Sequence, residues 1–258
     1  MKKFLIFFSI VLLFLSCSIG FAENQPARDL IASLAQLPGL SDSPDKGLYV
    51  DLVKAIDDVY PGKIKIEVYP FPRSIQNVID GKADFHIPKL RNPLVSESKL
   101  PYQFISEKHG TVSFVIYSNK DKIITKKALE DAVAKGSQIP YQIDMVTGSE
   151  SNFPFPGVSN ASFEQSLQKV QNKRTDAIIW SQEESDLAVK NLKLNAIHRE
   201  HYGDFDEVIL VQKGPKGDEL DKILSECLRK LKATGRLQEL YNKIHTRYND
   251  WQPTNMGW

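Results

Sequence analysis

The side chains best suited to chemistry in this sequence fall in two stretches. The first runs from Phe71 to Arg91 and holds Phe71, Arg73, His86, Lys89 and Arg91. An arginine guanidinium offers a planar fork that matches a carboxylate bidentately, so Arg73 and Arg91 are candidate anion clamps. Arg73 follows Phe71-Pro72 at a helix start, and pairing with Asp80 or Glu67 is its structural alternative. Arg91 closes FHIPKLR (85–91), where a surface loop is the alternative. Side chains alternate along a strand, so if Phe85 faces the core, His86 faces a helix or a cleft. A satisfied structural histidine fits that position equally. Lys89 reads as solvated.

The second stretch holds Tyr141, Asp144, Thr147-Gly148-Ser149, Trp180 and Ser181. Glycine at 148 would let backbone amides approach a ligand closely, although an ordinary polar turn also fits. Asp144 could balance a cationic group. Phe71, Tyr141 and Trp180 could form stacking walls or pack in the core. Ser181-Gln182-Glu183-Glu184 reads as a capping box that starts a helix where the strand DAIIW ends. Free N–H groups there would face the ligand edge of a sheet.

Other chemistries lack their residues. Of the five histidines only His198 and His201 lie close together, and no cysteine or glutamate completes a ligand set at standard spacing. HREH (198–201) reads as a solvated loop. Ser149 lacks the G-x-S-x-G setting of an esterase nucleophile, and no Walker or G-x-G-x-x-G pattern occurs. No metal or cofactor is expected, and no catalytic residue is assigned. Cys227 lies on the apolar stripe of Leu220, Ile223, Leu224 and Leu231, the setting of a buried core thiol.

The elements that must position these residues are α/β. Leu48, Leu52, Ile56 and Val59 give residues 48–60 one apolar helical face. Ile64, Ile66 and Val68 alternate with Lys65 and Glu67 as a strand. Pro72 and Gly81 bracket the next helix, and ADFHIP follows as a buried strand. GTVSFVIYS (110–118), DAIIW (176–180) and EVILVQ (207–212) are further strands, while residues 30–37 read as strand or helical turn alike. Helices are expected over 125–134, from Ser162, over 218–233 and over 236–247, before an irregular tail. GKADFHIP and KRTDAIIWS echo each other, as if from two similar lobes. Crossings near 118–121 and 205–208 would form a hinge, giving lobe 1 as 23–118 plus 208–258 and lobe 2 as 119–207.

Lys2, Lys3 and the apolar run 4–15 read as a signal peptide over 1–22, cleaved after Gly20-Phe21-Ala22. A retained anchor and lipidation at Cys17 are the alternatives. Removing Lys2 and Lys3 from 33 basic residues leaves 31 against 32 acidic ones, a mature net charge near −1. Neither nucleic acid nor an anionic membrane surface is indicated as partner. An exported chain left with one cysteine is expected to have no internal disulfide.

In GLYVDLVKAI (47–56), IDGKADF (79–85), Leu100-Pro101-Tyr102, VQNKRTDAII (170–179) and the closing helices, the chain resembles the type II periplasmic solute-binding proteins, the bacterial extracellular family 3. The resemblance implies two α/β lobes hinged around a central cleft and a monomer that binds a small polar solute. That solute is expected to be amino acid-like and carboxylate-bearing, passed to the membrane permease of an ABC-type transporter. A dehydratase-like enzyme on the same fold and a sensor subunit for a signalling receptor are the rival functions. Amino-acid-binding members carry a threonine-arginine signature after the GKAD strand, whose arginine clamps the ligand carboxylate. Here the segment reads HIPKLRNP, with Arg91 the nearest match. Their acidic partner for the ligand amino group aligns with Ser181, followed by Gln182 and Glu183.

Overall fold

The computed structural model describes residues 28–136, 139–147 and 149–255. The expected signal peptide, Cys17 and Gly148 lie outside the described residues. Strand β1 (Leu30–Ala35) is almost wholly buried, which resolves the ambiguity of that segment. It pairs in parallel with β2 (Ile64–Tyr69) on one side and β3 (Phe85–Leu90) on the other. Such a strand has no solvent face, so its apolar run carries no alternation.

Between β1 and β2 lies helix α1 (Leu48–Val59), buried through Val50, Leu52, Val53 and Ile56. Gly47 precedes it at φ 138°, and a Cβ there would stand 2.3 Å from the Leu40 carbonyl oxygen. Only glycine allows that approach. Helix α2 (Phe71–Ile79) links β2 to β3, with Pro72 in its first turn.

The remaining elements are β4 (Tyr102–Asn119), α3 (Lys126–Ala134), β5 (Ile143–Val146), β6 (Val158–Asn160), α4 (Phe163–Gln171), β7 (Ala177–Ser181), α5 (Gln182–Asn191), β8 (Ile197–Gln212), α6 (Pro215–Ala233) and α7 (Arg236–Ile244). The strands form one mixed sheet in the order β2-β1-β3-β8-β4-β7-β5-β6. Thr125 and Ser162 cap α3 and α4 through their side chains.

The sheet divides into two lobes through its cores. One lobe packs α1, α6 and α7 against β1 and β3, with Cys227 inside that core. Its other face is covered at Val78, Ala83 and Phe104. The second lobe has a core around Phe114, Leu129 and Met145 and another around Leu167, Val189 and Ile197. This is the α/β, two-lobe class expected from the sequence.

Strands β4 and β8 run through both lobes. Leu90 of β3 pairs with Glu207 of β8, whereas Phe114–Ser118 of β4 pair with β7. On β4 the changeover therefore precedes Phe114, ahead of the crossing read near 118–121. Register shifts between Phe104 and Gly110 mark the ladder there. HREH is likewise strand rather than loop, because β8 begins at Ile197 and buries Arg199 completely.

The C-terminal tail makes a third crossing. Gln182 of α5 hydrogen-bonds the Thr246 carbonyl, and Tyr248 and Trp251 pack against the core around Leu167. Gln252 accepts from the Arg199 amide at 2.9 Å and donates to its carbonyl at 2.8 Å. The chain thus leaves α7 in the first lobe and fastens onto the second.

Candidate functional site

A cavity of about 270 Å³ opens between the lobes. The first lobe supplies Tyr49, Phe71, Lys89 and His245, and the second supplies Ser149, Asn152, Trp180 and Glu183. Phe71 begins α2 and Lys89 nearly ends β3, so both stand at the carboxyl edge of the parallel strands β2 and β3. Trp180 and Ser181 end β7, and Glu183 and Glu184 lie in the first turn of α5. Ligands of open α/β sheets sit at this edge.

Of the site residues expected from the sequence, Phe71, Ser149, Trp180 and Ser181 line the cavity. Ser149 is held by its hydroxyl, which donates to the Val146 carbonyl at 2.7 Å. Trp180 meets Phe114 edge-on at 5.7 Å.

Five others stand outside the cavity. Arg73 projects from α2 into solvent. Arg91 is committed elsewhere: it pairs with Glu97 at 3.0 Å, donates to the Ile105 carbonyl at 3.1 Å and lies over Phe104. Tyr141 packs beside the Phe114 core under Lys122. Asp144 is buried and saturated by Ser166, Asn160, Lys169 and Thr175, which tie β5 to α4 and to the turn before β7. Burial opposes its charge, but these donors hold its carboxyl below the usual range.

His86 is buried in the first lobe, outside the cavity lining, and is bonded through one ring nitrogen. Its Nδ1 contacts the Ser74 hydroxyl at 2.7 Å, which in turn contacts Ser33 at 2.9 Å. Burial and the Lys89 charge hold its pKa down at about 3, so the ring is neutral. Its edge supports the Phe71 ring at 5.4 Å.

The cavity also gathers residues that sequence reasoning missed. Tyr49 donates to Glu207 at 2.8 Å. His245 stands between Glu207 at 2.8 Å and Glu183 at 3.4 Å, linking the first lobe, the crossing strand and the second lobe. Burial alone would lower its pKa, but the two carboxylates outweigh burial and raise it to about 9. Glu207 is fully buried, yet His245 keeps its carboxyl below the usual range. Burial raises the Glu184 carboxyl, partly offset by the Ser181 hydroxyl and the Trp180 indole. Tyr49 and Glu207 lie 158 residues apart in the chain, so no local motif marks their pairing.

Lys89, read as solvated, lines the cavity with its ammonium 5.6 Å from the centre of the Phe71 ring. Burial lowers its pKa.

The family model for the bacterial extracellular solute-binding proteins, family 3, matches residues 41–247. The chain belongs to this family.

Solved structures agree in fold. A histidine kinase sensor domain with similarity to periplasmic binding proteins matches at a TM-score of 0.65 and 16% identity, over 84% of this chain and 96% of that one. The GluR0 ligand-binding core from Nostoc punctiforme, in complex with L-glutamate, matches at 0.62 and 16%, over 83% and 98%. An ancestral arginine-binding protein bound to glutamine matches at 0.60 and 20%, over 83% and 96%. No curated protein matches. At these identities the structural likeness concerns the fold, and the ligand-binding parts must be read from this family member's own residues.

Proposed function

We propose that this protein is an exported, monomeric solute-binding protein. In this reading it takes a small carboxylate-bearing, amino acid-like solute into the interlobe cavity and delivers it to the permease of an ABC-type transporter. The observation that carries the proposal is the cavity of about 270 Å³ walled from both lobes. A solute touching both walls makes contacts that an open form cannot supply, so it favours closure. The apolar walls and few polar groups also suit a small ligand.

Thermal denaturation of the protein spanning residues 23–258 against amino acids, carboxylates, amines and sugars tests this. A ligand at a hundredfold over its Kd stabilises by about 2.7 kcal/mol. That corresponds to a rise in Tm of roughly 5–10 °C for a chain of this size. Flat melting curves with every class would remove the solute-binding reading. Conversion of a bound solute to a new product would favour the dehydratase-like alternative. The likeness to a histidine kinase sensor domain supports a second reading, in which the loaded form signals to a receptor. Pull-down with solute, recovering a permease or a receptor kinase, separates the two.

A further inference from the structure

Three cations stand on or beside the element that leads into the cavity: Arg73, Lys89 and Arg91. Arg73 is exposed on α2, outside the cavity. Arg91 is spent on Glu97 and the Ile105 carbonyl. Lys89 alone of the three lines the cavity. Its ammonium lies over the Phe71 ring, and among the described residues neither an ion pair nor a side-chain hydrogen bond occupies it. A half-buried ammonium with no acceptor costs free energy unless a ligand supplies one. His245, the other cation at this cavity, is already held between Glu183 and Glu207.

The surfaces around Lys89 define the rest of the ligand. Phe71, Phe114, Trp180 and Leu90 form apolar walls around it. An apolar cavity of about 150 Å³ holds benzene. The space of about 270 Å³ here takes one ring, or a branched chain of similar bulk, with a short arm.

We propose that Lys89 is the residue that selects the solute, taking its carboxylate as a primary ammonium where the family resemblance points to an arginine. The solute is a monocarboxylate with an aromatic or branched apolar body. The body lies between Phe71 and Trp180, and the carboxylate replaces water at the Lys89 ammonium. This rests on the solute-binding reading and names the ligand class for that same cavity. The ammonium is a compact point charge without the bidentate fork, so it fixes the solute less by angle than a guanidinium would.

Calorimetric titration tests it with phenylacetate, 3-phenylpropanoate, phenylalanine and leucine, each beside its neutral amide. Succinate, putrescine and glucose complete the panel. At least one apolar carboxylate should bind, and its amide at least tenfold more weakly. In Lys89→Met, carboxylate binding should fall at least tenfold while any amide binding stays unchanged. Lys89→Arg, which keeps the charge, should retain part of the affinity, and Arg73→Met should bind as the parent does. Equal binding of acid and amide would overturn the proposal, as would undiminished binding by Lys89→Met with a parent-like melting curve. Binding of succinate, putrescine or glucose in place of the apolar acids would overturn the ligand class and leave the solute-binding reading standing. Silence from the entire panel, with no change in melting, would count against that reading itself and take this inference with it.

Discussion

Lys89 and Arg199 are two sheltered cations on strands of the same sheet, each laid over an aromatic face. Their surroundings differ most in the acceptors they offer. Arg199 meets Asp186 twice at 2.6 Å, donates to the carbonyls of Asn249 and Trp251 at 3.1 and 2.5 Å, and lies 4.1 Å from the Trp251 ring centre. Tyr117 adds a hydroxyl to Asp186 at 2.7 Å. The Lys89 ammonium lies over the Phe71 ring and, among the described residues, has no carboxylate or carbonyl acceptor. Arg199 is the more deeply buried of the two, and it is also the one whose acceptors are supplied by the chain. The guanidinium fork, fully matched, ties the tail to the second lobe, and the unmatched ammonium faces a space that a solute can enter.

Replacing Arg199 is the largest way to test that contrast. Arg199→Met leaves Asp186 without its guanidinium and frees Asn249, Trp251 and Gln252 from the strand. Breaking one side of a buried pair costs about 3–5 kcal/mol. A fall in Tm on the order of 10 °C should follow. A loss no greater than that of Lys89→Met would erase the distinction between the two cations.

Arg199 also explains where the sequence was hard to read. EVILVQ announced only the last part of β8, because the first part, IHREHYGDFD, puts a charge at an inward position and hides the alternation on which strand assignment depends. The tail is unreadable for a different reason: it is held largely through its own backbone carbonyls, which accept from Arg199 and Gln182 and have no sequence signature. The helices and strands with uninterrupted apolar periods, such as α1 and β7, were legible, and so was the two-lobe class. The site was legible in part. Phe71, Trp180 and Ser181 stand at strand ends and helix starts, and they line the cavity. The arginines were favoured for their chemistry, yet geometry decides whether a guanidinium is already spent, as Arg91 is on Glu97. Tyr49, Glu207 and His245 meet only through the fold.

His245 sits between these extremes, paired yet still lining the cavity. The groups that face it are Glu183 from α5, Glu207 from β8, the Tyr241 ring one turn back and, through Glu207, His109 and Tyr49. Its folded pKa of about 9 lies above the ordinary value of 6.5. A base with a raised folded pKa contributes its stability fully below 6.5 and loses it as pH rises through about 9. Stability should therefore decline between pH 6.5 and 9 in the parent and less steeply in His245→Gln. At pH 7 that variant should lose about 1.5–3 kcal/mol, the range for a hydrogen bond to a charged group. Identical pH profiles for the two proteins would mean that the cross-lobe pairing contributes nothing.

The smallest effect is expected at Lys89, and its smallness is the point. In the absence of solute, Lys89→Met removes a charge that has no acceptor and keeps an unbranched apolar stem against Phe71. The change in stability should lie within about 0.5 kcal/mol, or favour the variant, because no partner is left stranded. Urea denaturation of both proteins without solute measures it. A loss of several kcal/mol would show that Lys89 is a structural tie after all, and would place it beside Arg199. A near-zero change together with lost carboxylate binding would separate the two fully. Arg199 holds the fold because its acceptors belong to the chain, whereas Lys89 would owe its acceptor to the solute.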